Sequence, residues 1–431
     1  MWNRRRLKRS FLIHRKKGRD SLFRQIWNKT IKSGEPAMYD FDKSTDRKKT
    51  NAFKWKALKN LYGDEELYPM WVADMEFETA PAVKRRILER AEQGIFGYEL
   101  LSDKYGKAVK HWLGKRHGYQ IDEGWVVYCS SVMTGLSAAL QALTKEGDEI
   151  LINPPIYGNF FQTIQGCGRK TLEIPLVEKA GKMTFDMERM ERAVSDRTKA
   201  FLLCSPHNPT GRVWTKKELG EIIDFCRRHH LLLFSDEVHF DLVFEGEHCM
   251  TACQNRREDV KVITFVSPGK SFNVAGMQTA SMIIEDPCIR SDVQKKMKAM
   301  SYPFEHSFAE AVTVGAYLES EQWLNELLDY LGENRRIFTD FISANIPVLR
   351  VVPSEATYLM WVDCHSMDLD DEELEKFWIQ RCHLALSDGR EFGTGGSQYV
   401  RFNVACQRES LKKVLEQMAM VFHESGYGEE V

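Results

Sequence analysis

The sequence predicts an α/β fold, with a large domain built on a mostly parallel sheet flanked by helices and a smaller α+β domain after it. Three observations carry this expectation. From about residue 87, short apolar runs alternate with helix-like stretches, the pattern of strand–helix–strand units. After about residue 320 that alternation gives way to one long helical stretch and a few isolated strands. The chain has 431 residues, more than one ordinary core holds, so two domains are expected.

The elements follow in order. Residues 1–37 contain twelve Lys/Arg and two acids, a net charge of +10, which leaves −12 on the rest. Such a basic block suggests a nucleic-acid arm or a targeting peptide. Phe11–Ile13 is too short for a signal core, no helix-turn-helix or zinc pattern is present, and an acidic body gives nucleic acid no general surface. The expectation is a disordered extension, with Met38 opening a cleaner sequence. Residues 38–86 are expected to pack with the small domain, 87–320 to form the large domain and 321–431 the small one.

Strands are expected at Val126–Cys129, Glu149–Asn153, Lys199–Cys204, Leu231–Ser235, Val260–Val266 and Ser281–Ile284. Beyond them come a helix over Glu321–Ala344 and strands at Tyr358–Val362 and Tyr399–Val404. No apolar run approaches the ~18–20 residues that span a bilayer. The ten cysteines form no C-x-x-C and no His/Cys set with metal spacing, which fits reduced thiols in a cytoplasmic enzyme without a bound metal.

Ligands of open α/β sheets gather beyond the carboxyl ends of strands, and the chemically informative residues cluster there. In Ser267-Pro-Gly-Lys270, a lysine stands just past an apolar strand. Desolvation lowers an amine's pKa and makes it a nucleophile toward an aldehyde, and Ser267 could bond a phosphate; a solvated surface lysine is the ordinary alternative. Asp236 ends an apolar run, so it needs a partner. A protonated pyridine nitrogen would serve, as would an arginine or a turn. Asn208, in Ser205-Pro-His-Asn-Pro-Thr-Gly211, could donate to a phenolic oxygen, although Asn-Pro and Thr-Gly are also turn punctuation. Ser130-Ser-Val-Met-Thr-Gly135 opens an alanine-rich helix whose first amides suit phosphate, or whose Ser/Thr residues simply cap it. Tyr157 follows a strand and could stack on a ring or sit in the core. Arg401, in an alternating strand, has the planar fork for a carboxylate.

The order of these motifs resembles fold-type I pyridoxal-5′-phosphate (PLP) enzymes of the aspartate aminotransferase superfamily, over about residues 38–425. Within it the chain resembles the MalY/PatB type of cystathionine β-lyases, or C–S lyases. The match rests on Met70-Trp-Val-Ala-Asp-Met75, Phe96-Gly-Tyr98, Ser235-Asp-Glu-Val-His-Phe-Asp-Leu242 and Lys270-Ser-Phe-Asn-Val-Ala-Gly276. It extends to Phe392-Gly-Thr-Gly-Gly396 and Arg401-Phe-Asn-Val-Ala-Cys406.

The resemblance implies that Lys270 carries PLP as a Schiff base and moves protons. It implies that Asp236 pairs with the pyridine nitrogen, Asn208 with the phenolic oxygen, and that Tyr157 stacks on the ring. The Val132 and Met133 amides and Ser267 would hold the phosphate, His239 would line the cofactor site, and Arg401 would hold the substrate carboxylate. Tyr98 would reach the phosphate of a neighbouring subunit, implying a homodimer. Ser131, Gly269 and Ala356 depart from the residues common there. The implied reaction is β-elimination from an amino acid with sulfur on Cβ. Two other readings share the cofactor fold: an aminotransferase, and a regulator acting through protein contacts.

Overall fold

The computed structural model describes residues 38–255, 259–301 and 305–427. The basic block 1–37 lies outside them. Among the described residues, the sheets and helices below belong to one compact unit that begins at Phe41.

Seven strands make the main sheet: β1 Val126–Cys129, β2 Glu149–Ile152, β3 Lys170–Glu173, β4 Thr198–Cys204, β5 Leu232–Asp236, β6 Val262–Val266 and β7 Ala280–Ile284. Their spatial order is β1-β7-β6-β5-β4-β2-β3. All neighbours run parallel except β7, which is antiparallel to both β1 and β6. The central strands are buried nearly throughout, which explains why they read as unbroken apolar runs. Edge strand β3, Lys-Thr-Leu-Glu, is half-exposed and carries no such run. That is why the sequence pattern passes over it.

Helices cover the sheet. α1, Asp103–His117, starts at Ser102, whose side chain accepts from the Lys104 amide, and stops at Gly118 in the left-handed region at φ +64°. α2, Val132–Leu143, follows β1 directly, with Ser131 as its cap. α3, Lys216–Arg228, opens on a capping box between Thr215 and Glu218. α4, Glu321–Asn345, buries a stripe at helical spacing: Trp323, Leu324, Leu327, Leu331, Phe338 and Ile342. Inside that stripe, Asn334 donates to the carbonyls of Val404 and Cys406 at 3.0 and 2.8 Å.

A second, antiparallel sheet contains β8 Arg350–Val351, β9 Leu359–Asp363, β10 Ser387–Asp388 and β11 Tyr399–Asn403, in the order β8-β9-β11-β10. Its β11 carries Arg401. Gly211 joins the turn after β4 to the loop before β9. Its carbonyl accepts from the Glu355 and Ala356 amides, its φ is +68°, and a Cβ there would lie 2.6 Å from the Ala356 oxygen. Only glycine fits this backbone and this approach.

Residues 70–77 form an irregular strap, bent at Val72–Ala73 and Glu76–Phe77 and entered by Tyr68–Pro69 pairing with Leu384–Ala385. Asn403, 2% exposed, donates to the carbonyls of Val72 and Asp74 and accepts from the Ala405 amide at 2.8 Å. Asn403→Ala should therefore strand the Asp74 carbonyl and the Ala405 amide and leave the Val72 carbonyl with the Asp74 amide alone. The expected cost is about 2–4 kcal/mol, read as a lowered urea midpoint. An unchanged midpoint contradicts the strap's dependence on this side chain.

Candidate active site

The carboxyl ends of β5 and β6 are adjacent in the sheet, and each delivers one ionisable group. β5 ends on Asp236; β6 runs through Ser267 into the turn that carries Lys270. The partly buried Lys270 Nζ donates to the Ala73 carbonyl of the strap at 2.6 Å. Burial, and then the positive charge of Arg401, lower its ammonium to about 8, against the pull of Asp74 and Asp236. Asp236 is 4% exposed. Burial raises its carboxyl to about 7, although the Val238 amide at 3.0 Å and Lys270 both favour the charged form.

Arg401, 5% exposed, reaches in from β11. One Nη donates to Asn208 Oδ1 at 2.9 Å; the other donates to the Trp71 carbonyl at 2.8 Å and to Ser387 Oγ at 3.0 Å. Its guanidinium lies 4.9 Å from the Phe392 ring centroid. Three of five N–H donors are thus committed, and Nε is buried without a partner. Because Asn208 Oδ1 already accepts from Arg401, its amide donors stay available for another acceptor. Burial lowers His239 to about 3, helped by Lys270 and Arg401, so it is a neutral imidazole, and its buried Nδ1 has no partner. Tyr157 stands beside this group: burial raises its phenol while Arg401 lowers it, and Asn159 donates to its hydroxyl at 2.8 Å.

Lys270, Asp236, Asn208, Arg401, His239 and Tyr157 are therefore one linked cluster. The remaining expected residues are placed differently. Ser131 caps Thr134 at 3.1 Å, which leaves the Val132 and Met133 amides as first-turn donors at the start of α2. Ser267 donates its hydroxyl to the Thr279 carbonyl at 2.7 Å and accepts from the Gly269 amide at 3.0 Å. Its proton is already used, so a phosphate has to draw it away from Thr279. Tyr98 lies on the surface, 86% exposed in the single chain.

Some members of the site escape sequence reasoning. Tyr358 donates to the same Ala73 carbonyl as Lys270, at 3.2 Å. The Trp71 and Ala73 carbonyls are backbone groups, for which side-chain patterns give no signal. Asn403 and Ser387 face the strap only because β10 and β11 pair in this register.

The arrangement fits an anionic aromatic aldehyde such as PLP. Among the described residues, a buried acid forms no ion pair, a depressed amine stands near it, buried nitrogens on Arg401 and His239 have no acceptor, and a helix start offers first-turn amides. A lysine with a lowered pKa is a neutral nucleophile above that value. The cofactor-free protein should therefore join PLP covalently with a rate whose rising limb has its midpoint near pH 8. Stopped-flow absorbance reads this rate. A midpoint near the ordinary lysine value of about 10.4 contradicts it.

The family model for aminotransferase class I and II matches residues 70–418. Cystathionine beta-lyase PatB of Bacillus subtilis (strain 168) is 33% identical over 88% of this chain and 98% of its own length. Protein MalY of Escherichia coli (strain K12) is 32% identical over 87% of this chain and 97% of its own. Among solved structures, cystalysin from Treponema denticola, which contains pyridoxal 5′-phosphate, is 34% identical with a TM-score of 0.86. It covers 90% of this chain and 100% of its own. With the site's lysine, acid and arginine inside the matched span, the chain belongs to the aminotransferase class I and II family.

Proposed function

We propose that this chain is a PLP-dependent carbon–sulfur β-lyase that cleaves cystathionine or related S-substituted cysteines to a thiol, pyruvate and ammonia. The observation that carries the reading is the linked cluster at the strand ends, closed over by the Met70–Met75 strap. The relative named cystathionine beta-lyase supports the reaction class, and the cystalysin structure, which contains pyridoxal 5′-phosphate, supports the cofactor.

PLP, when bound, supplies an electron sink for the pair left at the substrate Cα. The rest is the work of this chain's residues. Asp236 pairs its buried carboxylate with the ring nitrogen and keeps that nitrogen protonated. Asn208 would donate to the phenolic oxygen, Tyr157 would stack on the ring and His239 would line its site. The Val132 and Met133 amides would hold the phosphate, with Ser267 joining them on release of the Thr279 carbonyl. Arg401 binds the substrate carboxylate through donors left over from Asn208, Trp71 and Ser387. Lys270 Nζ takes the Cα proton; with a pKa near 8, a useful share of the amine is neutral at physiological pH. The thiolate then leaves Cβ, and released aminoacrylate hydrolyses to pyruvate and ammonia. Ala73 and Tyr358 keep the amine aimed and help exclude water.

The working unit in this reading is a homodimer. Ile95, Phe96, Tyr98 and Leu100 are 79%, 55%, 86% and 78% exposed, an apolar stretch suited to burial against a second copy, from which Tyr98 reaches the neighbour's phosphate. All ten cysteines are free thiols, which suits a reducing cytoplasm.

Incubation with cystathionine and no keto acid should yield pyruvate and free thiol in equal amounts. Turnover that requires a keto-acid acceptor makes the chain an aminotransferase instead. Lys270→Ala should stay folded, lose the visible absorbance of the attached cofactor and lose at least about 10³-fold in kcat. An unchanged spectrum removes this lysine from the role.

A further inference from the structure

Asp236 and Lys270 are each followed by a residue that takes part in a second polar cluster, centred on two buried carboxylates and separate from the groups assigned above. After Lys270 comes Ser271, 0% exposed, whose hydroxyl donates to Asp241 Oδ2 at 2.6 Å. The Asp241 side chain is itself 0% exposed. Its other oxygen accepts from Trp112 Nε1 at 3.0 Å, lies 2.8 Å from His117 Nε2, and is 3.6 Å from Arg116 Nε. After Asp236 comes Glu237, also buried, which accepts from Ser235 Oγ at 2.9 Å and from the Thr251 amide at 3.0 Å. It lies 2.9 Å from His248 Nε2. The His117 and His248 rings meet edge to face with centroids 6.0 Å apart.

A buried carboxylate is expensive to keep, and the Asp241 side chain has no contact with solvent. Its contacts have one geometric effect. They tie the end of α1, the turn after β5 and the turn after β6 to a single point directly behind the lysine. Lysine has four rotatable stem bonds, so the aim of Nζ depends on how firmly its backbone is held. We propose that Asp241 is a positioning residue for the reaction, acting through Ser271 to fix the turn that presents Lys270. His117, Trp112 and Arg116 hold Asp241 in place for that task. The Glu237–His248 pair braces the neighbouring strand end in the same way. This rests on Lys270 being the attachment residue.

The test uses the PLP-loaded enzyme and Ser271→Ala, which removes one hydroxyl and leaves the other donors on Asp241. The variant should keep its far-ultraviolet circular dichroism and its bound cofactor. Its kcat should fall about tenfold with KM little changed. Its visible circular dichroism, which reports how rigidly the attached cofactor is held, should weaken, and the pH midpoint of the cofactor absorbance should move. Ser271→Thr, which retains the hydroxyl, should behave as the unaltered enzyme. Asp241→Asn should show the same signature as Ser271→Ala, and where it gives no folded protein the Ser271 pair decides. Unchanged kcat, visible dichroism and midpoint in Ser271→Ala overturn the proposal. So does a Ser271→Thr variant as impaired as Ser271→Ala. Failure of the underlying site assignment shows itself separately, as attached cofactor in Lys270→Ala.

Discussion

A segment outside a sheet must still find a partner for every buried carbonyl, and the strap 70–77 meets that requirement mostly with side chains, several of them from the site. Met70 O accepts from the Asn403 amide. Trp71 O accepts from Arg401 and Ser387, and Ala73 O from Lys270 and Tyr358. Val72 O and Asp74 O share the Asn403 amide group. Met75 O takes Asn273 and Arg47, Glu76 O takes Gln407, and Phe77 O takes Asn273 again. The strap, the lysine turn and β11 are thereby placed relative to one another by hydrogen bonds whose joint loss would strand buried polar groups.

The outer side of the strap is held by charge. Lys54, 2% exposed, lies 2.9 Å from Glu76 and 3.4 Å from Asp74, and Arg47 bridges the same two acids. A buried ammonium of this kind persists only when paired. Here the pairing also fixes Asp74, one of the groups that raises the affinity of Lys270 for its proton. The N-terminal segment thus contributes to the electrostatics of a lysine some two hundred residues later in the chain.

Three carboxylates near the strand ends illustrate how environment separates chemically alike groups. Glu237 and Asp241 are surrounded by donors and stay behind the site. Asp236 has a single backbone donor, and its carboxyl is pushed up to about 7 by burial. It is the one of the three left wanting a cation, which is the condition for meeting a protonated ring nitrogen. Such differences in partner count are what turn a sequence of acids into distinct roles.

Local pattern along the chain is enough to reveal the strand–helix alternation, the long helix, and Lys270, Asp236, Asn208, Tyr157 and Arg401 as candidates. These were legible because apolar periodicity and strand-end positions are local properties, and because several motifs occurred together in one order. Edge strand β3 was not legible, since a half-exposed strand needs no apolar run. Nor could local pattern show that Ser267 spends its hydroxyl on Thr279, that Tyr358 shares a carbonyl with Lys270, or that Asp241 stands behind Ser271. Those pairings join residues far apart in the chain, or depend on the register of β9, β10 and β11. Tertiary structure alone decided them, because only the folded packing determines which buried donor meets which acceptor.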